Sequence, residues 1–98
     1  MPGAYTGKPR PAMIVQSDLF NATHASVSLC LITSEFADAP MFRIAIAPGT
    51  QTGLKKPSQI MVDKIASVPR EQISTVIGRV DEGTLELVDE SLRRWLNV

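Results

Sequence analysis

The apolar positions of this chain fall in short runs separated by turn residues, a pattern typical of β-strands. Residues 12–15 form a continuous apolar run, and residues 26–33 alternate before they become wholly apolar. Such a change is expected of a strand that passes from an edge into a core. Residues 41–46 alternate again, and residues 58–68 predict a long or bent strand. A further brief strand is predicted over residues 76–80.

Proline and glycine mark the connections between these runs. The first eleven residues contain three prolines and two glycines, so they predict a loop. Loops are also predicted over residues 19–25, 34–40 and 48–57. Pro69 opens a short helical stretch that continues to Ile73.

The pattern changes to helical spacing after residue 80. Asp81 is a good N-cap residue, and it precedes an amphipathic segment that runs to the end of the chain. Five apolar residues fall on one face of this predicted helix: Leu85, Val88, Leu92, Trp95 and Leu96.

Short strands followed by one terminal helix predict a mainly β, α+β fold. We expect a small, SH3-like, strongly bent antiparallel sheet or partly open barrel with a C-terminal amphipathic helix. The 98 residues, 10.7 kDa in mass, suffice for one domain over residues 1–98. Because such a small sheet leaves edges that a second copy can cover, we expect a homodimer.

Charge and rare residues restrict the chemistry. The net charge is zero, but residues 1–70 carry seven Lys or Arg against four Asp or Glu, which favours a working surface there. One cysteine, Cys30, and one histidine, His24, give no metal-ligand spacing and argue against a Ser/His/Asp triad. The sequence predicts Cys30 in the core, His24 in a solvated loop and Trp95 anchoring the helix. With no membrane-length apolar run and no secretory signal pattern, we expect a soluble cytoplasmic protein.

Arg10 is the first candidate functional residue. It lies between Pro9 and Pro11, which restrict the backbone on both sides. A guanidinium on such a loop suits a phosphate, because its planar fork forms paired hydrogen bonds and stays charged. A surface arginine at the start of a strand is the alternative that this residue alone leaves open.

Other polar residues stand at strand ends and in loops. Thr33 and Ser34 close the most apolar strand, where hydroxyls face a ligand or form a turn. Asp63 interrupts an apolar strand and needs a partner, whether structural or functional. Loop residues able to bind bases or phosphates, or merely to face water, are Gln16, Ser17, Asn21, Lys55 and Lys56.

Four segments together resemble the MazF/PemK family of toxin endoribonucleases. Residues 7–18 are similar to the family's Arg-Pro, apolar strand and Gln-Ser-Asp, and residues 29–34 to the next strand with its catalytic threonine. Residues 57–65 and the Gly-Arg-Val-Asp of residues 78–81 follow in the family's order. The family's opening strand with Arg-Gly-Asp has no counterpart before Pro2, for which three explanations stay open: a start assigned too late, a shortened form, or a strand supplied by another copy.

The resemblance implies a toxin that cleaves single-stranded RNA, chiefly messenger RNA, sequence-selectively and without a metal or other cofactor. The RNA 2′-hydroxyl attacks the adjacent phosphate and leaves 2′,3′-cyclic phosphate and 5′-hydroxyl ends. By resemblance, Arg10 stabilises the phosphorane and Thr33 binds the scissile phosphate. A cognate antitoxin with an acidic, partly disordered segment is the expected partner. The expected RNA-binding residues are Lys8, Gln16, Ser17, Ser34, Lys55, Lys56, Asp63 and Lys64.

Two alternatives remain at this point. The chain also resembles the CcdB gyrase poisons in residues 15–18, 66–69 and 95–98, although Asn97-Val98 departs from that family's Trp-Gly-Ile ending. Such a poison is not an enzyme, and it acts through its C-terminal residues. The other alternative is a catalytically inactive domain that only binds an antitoxin or nucleic acid.

Overall fold

A sheet of four antiparallel strands with a C-terminal helix forms the fold, in a computed structural model that describes residues 10–21 and 23–98. A single turn of 3-10 helix, Arg70–Gln72, follows the last strand. The strands are β1 (Ala12–Ile14), β2 (Ser26–Thr33), β3 (Arg43–Ile46) and β4 (Ser58–Pro69), and the helices are α1 (Asp18–Asn21) and α2 (Glu82–Leu96).

The strand order in the sheet is β1, β2, β4, β3, so β1 and β3 form the two edges. Strand β4 is the longest, and it pairs with β2 along most of its length and with β3 through its first residues. Every pairing is antiparallel. The predicted fold class, an antiparallel sheet with one C-terminal helix, is confirmed.

A large bulge bends the sheet at the middle of β4. Cys30 pairs with Ile65 and Ile32 pairs with Ile60, so residues 61–64 lie opposite Leu31 alone. Extra residues in one strand bend it and increase its twist. The bulge therefore accounts physically for the strong bend that the sequence pattern led us to expect.

The core lies between the sheet and α2. Val88 of α2 is fully buried against the sheet, and Leu92 packs beside it. The buried cluster consists of Met13, Cys30, Ile44, Ile46, Ile60, Val62 and Val88. Burial of the Cys30 thiol, with a smaller contribution from the nearby Asp63 charge, raises its pKa to about 11. The prediction that Cys30 belongs to the core is thus confirmed.

Helix α2 begins and ends as the sequence predicts, but it buries a narrower face. The Asp81 carboxylate accepts a hydrogen bond from the Thr84 N–H at 2.6 Å, and Asn97 ends the helix in the left-handed conformation. Leu85, Trp95 and Leu96 remain largely exposed, although Trp95 packs edge-on against Phe42. Instead, the small polar residue Ser91 is buried, and its hydroxyl donates to the Met41 carbonyl at 2.9 Å.

The predicted strand over residues 76–80 is wrong. This segment packs against the turn at residues 51–53, where the Arg79 N–H donates to the Gln51 carbonyl at 2.8 Å. A Cβ on Gly78 would lie 2.4 Å from the Gln51 oxygen, so the two backbones are too close for a side chain there. The apolar residues of this segment therefore belong to a stretch that is held by contact between two backbones, and not to a strand hydrogen-bonded into the sheet.

Smaller differences concern element boundaries, and one of them is that β4 ends at Pro69, one residue later than predicted. The loop predicted over residues 19–25 begins with the last three residues of α1, because the Phe20 N–H donates to the Ser17 carbonyl at 3.0 Å. Strand β3 begins two residues later than predicted, since the Phe42 and Arg43 N–H groups both donate to the Ala39 carbonyl. Strand β1 ends at Ile14, one residue early. His24 is exposed in its loop, as predicted.

Candidate active site

The pairing of β1 with β2 places the backbones of Arg10 and Thr33 across from each other at one end of the sheet. Ala12 pairs with Leu31, and the Ile32 N–H donates to the Pro11 carbonyl at 3.1 Å. The same register, continued by one residue, sets Arg10 opposite Thr33. Arg10 is exposed and Thr33 is half-buried. The structure therefore brings together the two residues for which the sequence predicts catalytic roles. We call this region the Thr33 end of the sheet.

The hydroxyl of Thr33 has a defined orientation. Its Oγ1 atom accepts a hydrogen bond from the Glu35 N–H at 3.1 Å, and its backbone pairs with Gln59 of β4. A hydroxyl has one proton to donate in addition to the lone pairs that accept. Because this hydrogen bond uses only a lone pair, the hydroxyl proton can still be donated to an acceptor such as a phosphate oxygen.

Further polar and basic residues lie at the Thr33 end. Ser34 follows Thr33 directly and is exposed. Lys55 and Lys56 precede the first residue of β4, and the Ser58 hydroxyl holds the Lys56 carbonyl at 2.9 Å. Both lysines are exposed. Together with the Arg10 guanidinium they give this end three exposed positive groups that favour phosphates, whereas Glu35 and Asp38 in the loop after Thr33 are exposed carboxylates.

Gln16 and Ser17 lie at the opposite end, beyond the last residue of β1. The Gln16 Oε1 atom accepts a hydrogen bond from the Ser28 N–H at 3.1 Å, near the start of β2. The Ser17 hydroxyl accepts from the Leu19 N–H at 3.3 Å in the first turn of α1. These side chains support the fold locally, and the structure does not bring them near Arg10.

Asp63 and Lys64 lie in the bulge of β4, between the two ends. Asp63 is half-buried, and within the described residues its buried Oδ1 atom has no hydrogen-bond partner. Lys64 is exposed. The sequence also predicts an RNA-binding role for Lys8, which lies outside the described residues.

Two residues near this site, Gln59 and Arg43, were missed by the sequence analysis. Gln59 Oε1 accepts from the Ala37 N–H at 3.1 Å, and Gln59 Nε2 donates to the Ala37 carbonyl at 3.2 Å. Arg43 Nη1 donates to Gln59 Oε1 at 3.1 Å and to the Glu35 carbonyl at 3.0 Å. We call Gln59 and Arg43 the loop clamp. The sequence carries no signal for this arrangement, because Arg43 and Gln59 are 16 residues apart and both bind backbone groups of the loop after Thr33.

The described part of the chain offers neither a cluster of metal ligands nor a membrane-length helix. Residues 10–21 and 23–98 contain no group of three or more His, Cys, Asp or Glu side chains placed to hold a metal ion. Within the same residues, neither helix combines the length and the apolar character that crossing a membrane requires.

Comparison with known proteins gives concordant results. The family model of PemK-like, MazF-like toxins of type II toxin–antitoxin systems matches residues 1–96. A probable endoribonuclease MazF from Mycolicibacterium smegmatis is 44% identical over 96 residues, which cover 98% of this chain and 87% of that protein. These matches do not favour the gyrase-poison alternative.

Solved structures share the fold. The Mycobacterium tuberculosis toxin MazF-mt6 superposes with a TM-score of 0.82 at 18% identity, covering 93% of this chain and 89% of that one. A mycobacterial endoribonuclease in complex with its cognate antitoxin has a TM-score of 0.78 at 19% identity, covering 96% of this chain and 86% of that one. Both similarities cover more than 90% of this chain and show a shared fold.

Proposed function

Because the chain belongs to the PemK-like, MazF-like toxins of type II toxin–antitoxin systems, we propose that its Thr33 end is the RNA-cleaving site. The chain is a MazF-type toxin endoribonuclease. Its substrate is single-stranded RNA, chiefly messenger RNA, cut at preferred sequences without a metal ion. The observation that carries the proposal is the register that sets Arg10 opposite Thr33.

Cleavage proceeds by attack of the RNA on itself. The 2′-oxygen forms a bond to the adjacent phosphorus, and the bond from phosphorus to the 5′-oxygen breaks. One proton leaves the 2′-oxygen and one is added to the 5′-oxygen, so the step consumes no water. The products are a 2′,3′-cyclic phosphate and a 5′-hydroxyl.

Arg10 and Thr33 supply donors to the phosphate in this reaction. The pentacovalent intermediate carries more negative charge on its non-bridging oxygens than the ground state does. The Arg10 guanidinium offers a planar pair of N–H groups to those oxygens, and the Thr33 hydroxyl offers its free proton. The Thr33 Oγ1 atom is held by the Glu35 N–H before the substrate arrives, and such preorganisation favours stabilisation of a transition state.

The remaining candidate residues bind the RNA strand. Lys55 and Lys56 contact its phosphates near Arg10, and Ser34 binds beside Thr33. Lys8, Lys64 and Asp63 extend contacts along the strand. Gln16 and Ser17 reach it only if the RNA continues to the far end of the sheet, because their acceptor atoms already bind backbone N–H groups.

The partners and the location follow from the same function. A cognate antitoxin with an acidic, partly disordered segment binds the basic Thr33 end and excludes RNA. The complex of a similar endoribonuclease with its antitoxin supports this partner. The toxin acts as a homodimer in the cytoplasm, where messenger RNA is found.

The test is cleavage of a mixed-sequence single-stranded RNA in EDTA. Cut positions and end groups are determined for this RNA. A strand of the same base sequence in which every nucleotide lacks the 2′-hydroxyl serves as the control. We expect cuts at a short recurring sequence, cyclic-phosphate ends, and no cleavage of the deoxy strand. Cleavage of the deoxy strand, or a requirement for added metal, would contradict the mechanism. Binding without turnover would support the inactive-domain alternative.

A further inference from the structure

Phe36 is an exposed aromatic residue three positions after Thr33. It is 60% exposed, and the mechanism described above does not use it. A phenyl ring is normally buried, because removing apolar surface from water is favourable. Single exposed apolar residues are common on protein surfaces, and Leu19 and Phe20 are exposed here as well, so the case for Phe36 depends on its position close to Thr33 and on the fixed loop that carries it.

The loop clamp fixes the backbone on both sides of Phe36. Before it, the Glu35 N–H is bound to Thr33 Oγ1 and the Glu35 carbonyl to Arg43. After it, both backbone groups of Ala37 are bound to the Gln59 amide. The ring thus projects from a segment with hydrogen bonds to β2, β3 and β4. Such a preorganised ring binds a partner with little loss of backbone entropy.

Distance also favours a contact with the substrate. Three residues of extended chain span at most about 11 Å, so Phe36 lies within that distance of Thr33. The turn at Glu35 shortens the path further. A nucleotide whose phosphate is bound at Thr33 therefore has its base, or that of its neighbour, within reach of the ring.

The chemistry of the segment selects a base and not a phosphate. Residues 34–38 contain no Lys or Arg, but they contain the exposed carboxylates Glu35 and Asp38. Carboxylates repel phosphates and accept hydrogen bonds from the amino groups of bases. Unpaired bases of single-stranded RNA stack on aromatic side chains in many RNA-binding proteins.

We propose that Phe36 is the stacking platform for one base next to the scissile phosphate, held in place by the Gln59–Arg43 clamp. The inference rests on the proposed function and adds a binding residue to it. Stacking on Phe36 secures the strand against the Thr33 end, while Arg10 and Thr33 act on the phosphate. The ring contributes to affinity and not to the chemical step.

The experiment compares Phe36→Ala, Phe36→Leu and Phe36→Tyr with the wild-type protein. Kd is measured on an RNA made uncleavable by one 2′-deoxynucleotide at the cut site, and the single-turnover rate on the all-ribose RNA. We expect Kd to rise about 5- to 150-fold in the Ala and Leu variants, with the saturating rate unchanged. Phe36→Tyr keeps a ring and should bind like wild type.

An abasic substrate identifies the stacked base. When the base that contacts Phe36 is removed, the wild-type protein and Phe36→Ala should bind the RNA equally. Equal binding of the intact RNA by these two proteins would overturn the inference. So would a Phe36→Leu variant that binds like wild type, because an aliphatic side chain does not stack.

Two further measurements separate this inference from the proposed function and from a protein contact: RNA cleavage by wild type and Arg10→Ala, and the affinity of Phe36→Ala for a second copy and for the antitoxin. If wild type cleaves, Arg10→Ala does not, and Phe36→Ala binds normally, then only the inference about Phe36 fails. If wild type does not cleave, the proposed function fails and the inference fails with it. If Phe36→Ala binds RNA normally but loses affinity for a second copy or for the antitoxin, the ring is a protein contact and the inference is overturned.

Discussion

The two ends of the sheet each carry an arginine, and the two arginines are used differently. Arg70 Nε donates to the His24 carbonyl at 2.8 Å and its Nη2 to the Phe20 carbonyl at 3.3 Å. Arg10 is exposed, and among residues 10–21 and 23–98 no hydrogen-bond partner of its guanidinium is found. Arg70 therefore secures a loop at one end of the sheet, whereas Arg10 at the other end is exposed.

A third arginine, Arg43, has a structural role at the Thr33 end. Arg43 binds the Glu35 carbonyl and the Gln59 amide, as a structural arginine does. Arg43 fixes the loop that follows Thr33, so we do not expect the order of this loop to depend on Arg10. Arg43 and Arg70 both bind backbone carbonyls of the fold, and Arg10 is the arginine for which we predict a bound phosphate.

The largest expected effect separates Arg10 from Arg70. Arg10→Ala should lower the cleavage rate by about 10²–10³-fold, the usual cost of removing a preorganised transition-state donor, and leave Tm unchanged. Arg70→Ala should do the reverse, because it frees the Phe20 and His24 carbonyls but contacts no substrate. Cleavage rates per folded molecule and thermal unfolding curves measure both. A loss of cleavage in Arg70→Ala at unchanged stability would refute the assignment of the two ends.

The next effect concerns the hydroxyl of Thr33. Thr33→Val keeps the shape of the side chain but removes the donor, and we expect cleavage to fall by roughly 10- to 100-fold. Thr33→Ser retains the hydroxyl and should keep most of the activity. Single-turnover rates at saturating RNA are the measurement. Equal rates for the Val variant and wild type would exclude a hydrogen bond to the phosphate.

A smaller effect is expected from the loop clamp. Gln59→Leu removes both hydrogen bonds to Ala37 and one to Arg43, so unfolding should become easier by about 1 kcal/mol. The loop that follows Thr33 becomes less ordered, and cleavage should fall less than in Thr33→Val. Hydrogen exchange at the Ala37 amide should accelerate. Gln72→Leu, an exposed glutamine at the other end, is the matched control and should change neither property.

The smallest effect on cleavage is expected at Cys30, between the two ends. Its pKa is raised to about 11, so the unfolded thiol loses its proton near pH 9.0, before the folded one does. The free energy of unfolding should therefore fall between pH 9 and pH 11, by up to about 1.4 kcal/mol per pH unit. Cys30→Ala should flatten that part of the profile without changing the RNA-cleavage rate at neutral pH. An identical pH profile in the two proteins would contradict this account.

Alternation and turn chemistry were sufficient to predict the main strands and the terminal helix. The run over residues 26–33 became β2 with the predicted boundaries, and Asp81 caps α2 as expected. Both outcomes depend on local sequence, because a strand's burial pattern and a cap's hydrogen bond involve neighbouring residues. Arg10 and Thr33 could be paired only through the resemblance, since 22 residues that include β1, α1 and most of β2 separate them.

Features that depend on distant contacts could not be predicted. The bulge at residues 61–64 depends on the register between β2 and β4, which their apolar pattern leaves open. The segment at residues 76–80 has the composition of a strand, but its backbone meets the turn at residues 51–53 instead. The loop clamp likewise depends on which side chains the fold brings to Ala37.

The central claim is that RNA is bound and cut at the Thr33 end. The most direct measurement is a titration of isotope-labelled protein with an uncleavable single-stranded RNA, followed by backbone amide NMR shifts and the Arg10 and Arg70 side-chain signals. The account predicts saturable shifts at Thr33, at Ala37 and at the Arg10 guanidinium, with Arg70 unaffected. Shifts centred on Arg70 and the start of β2, with Arg10 and Thr33 unchanged, would contradict it.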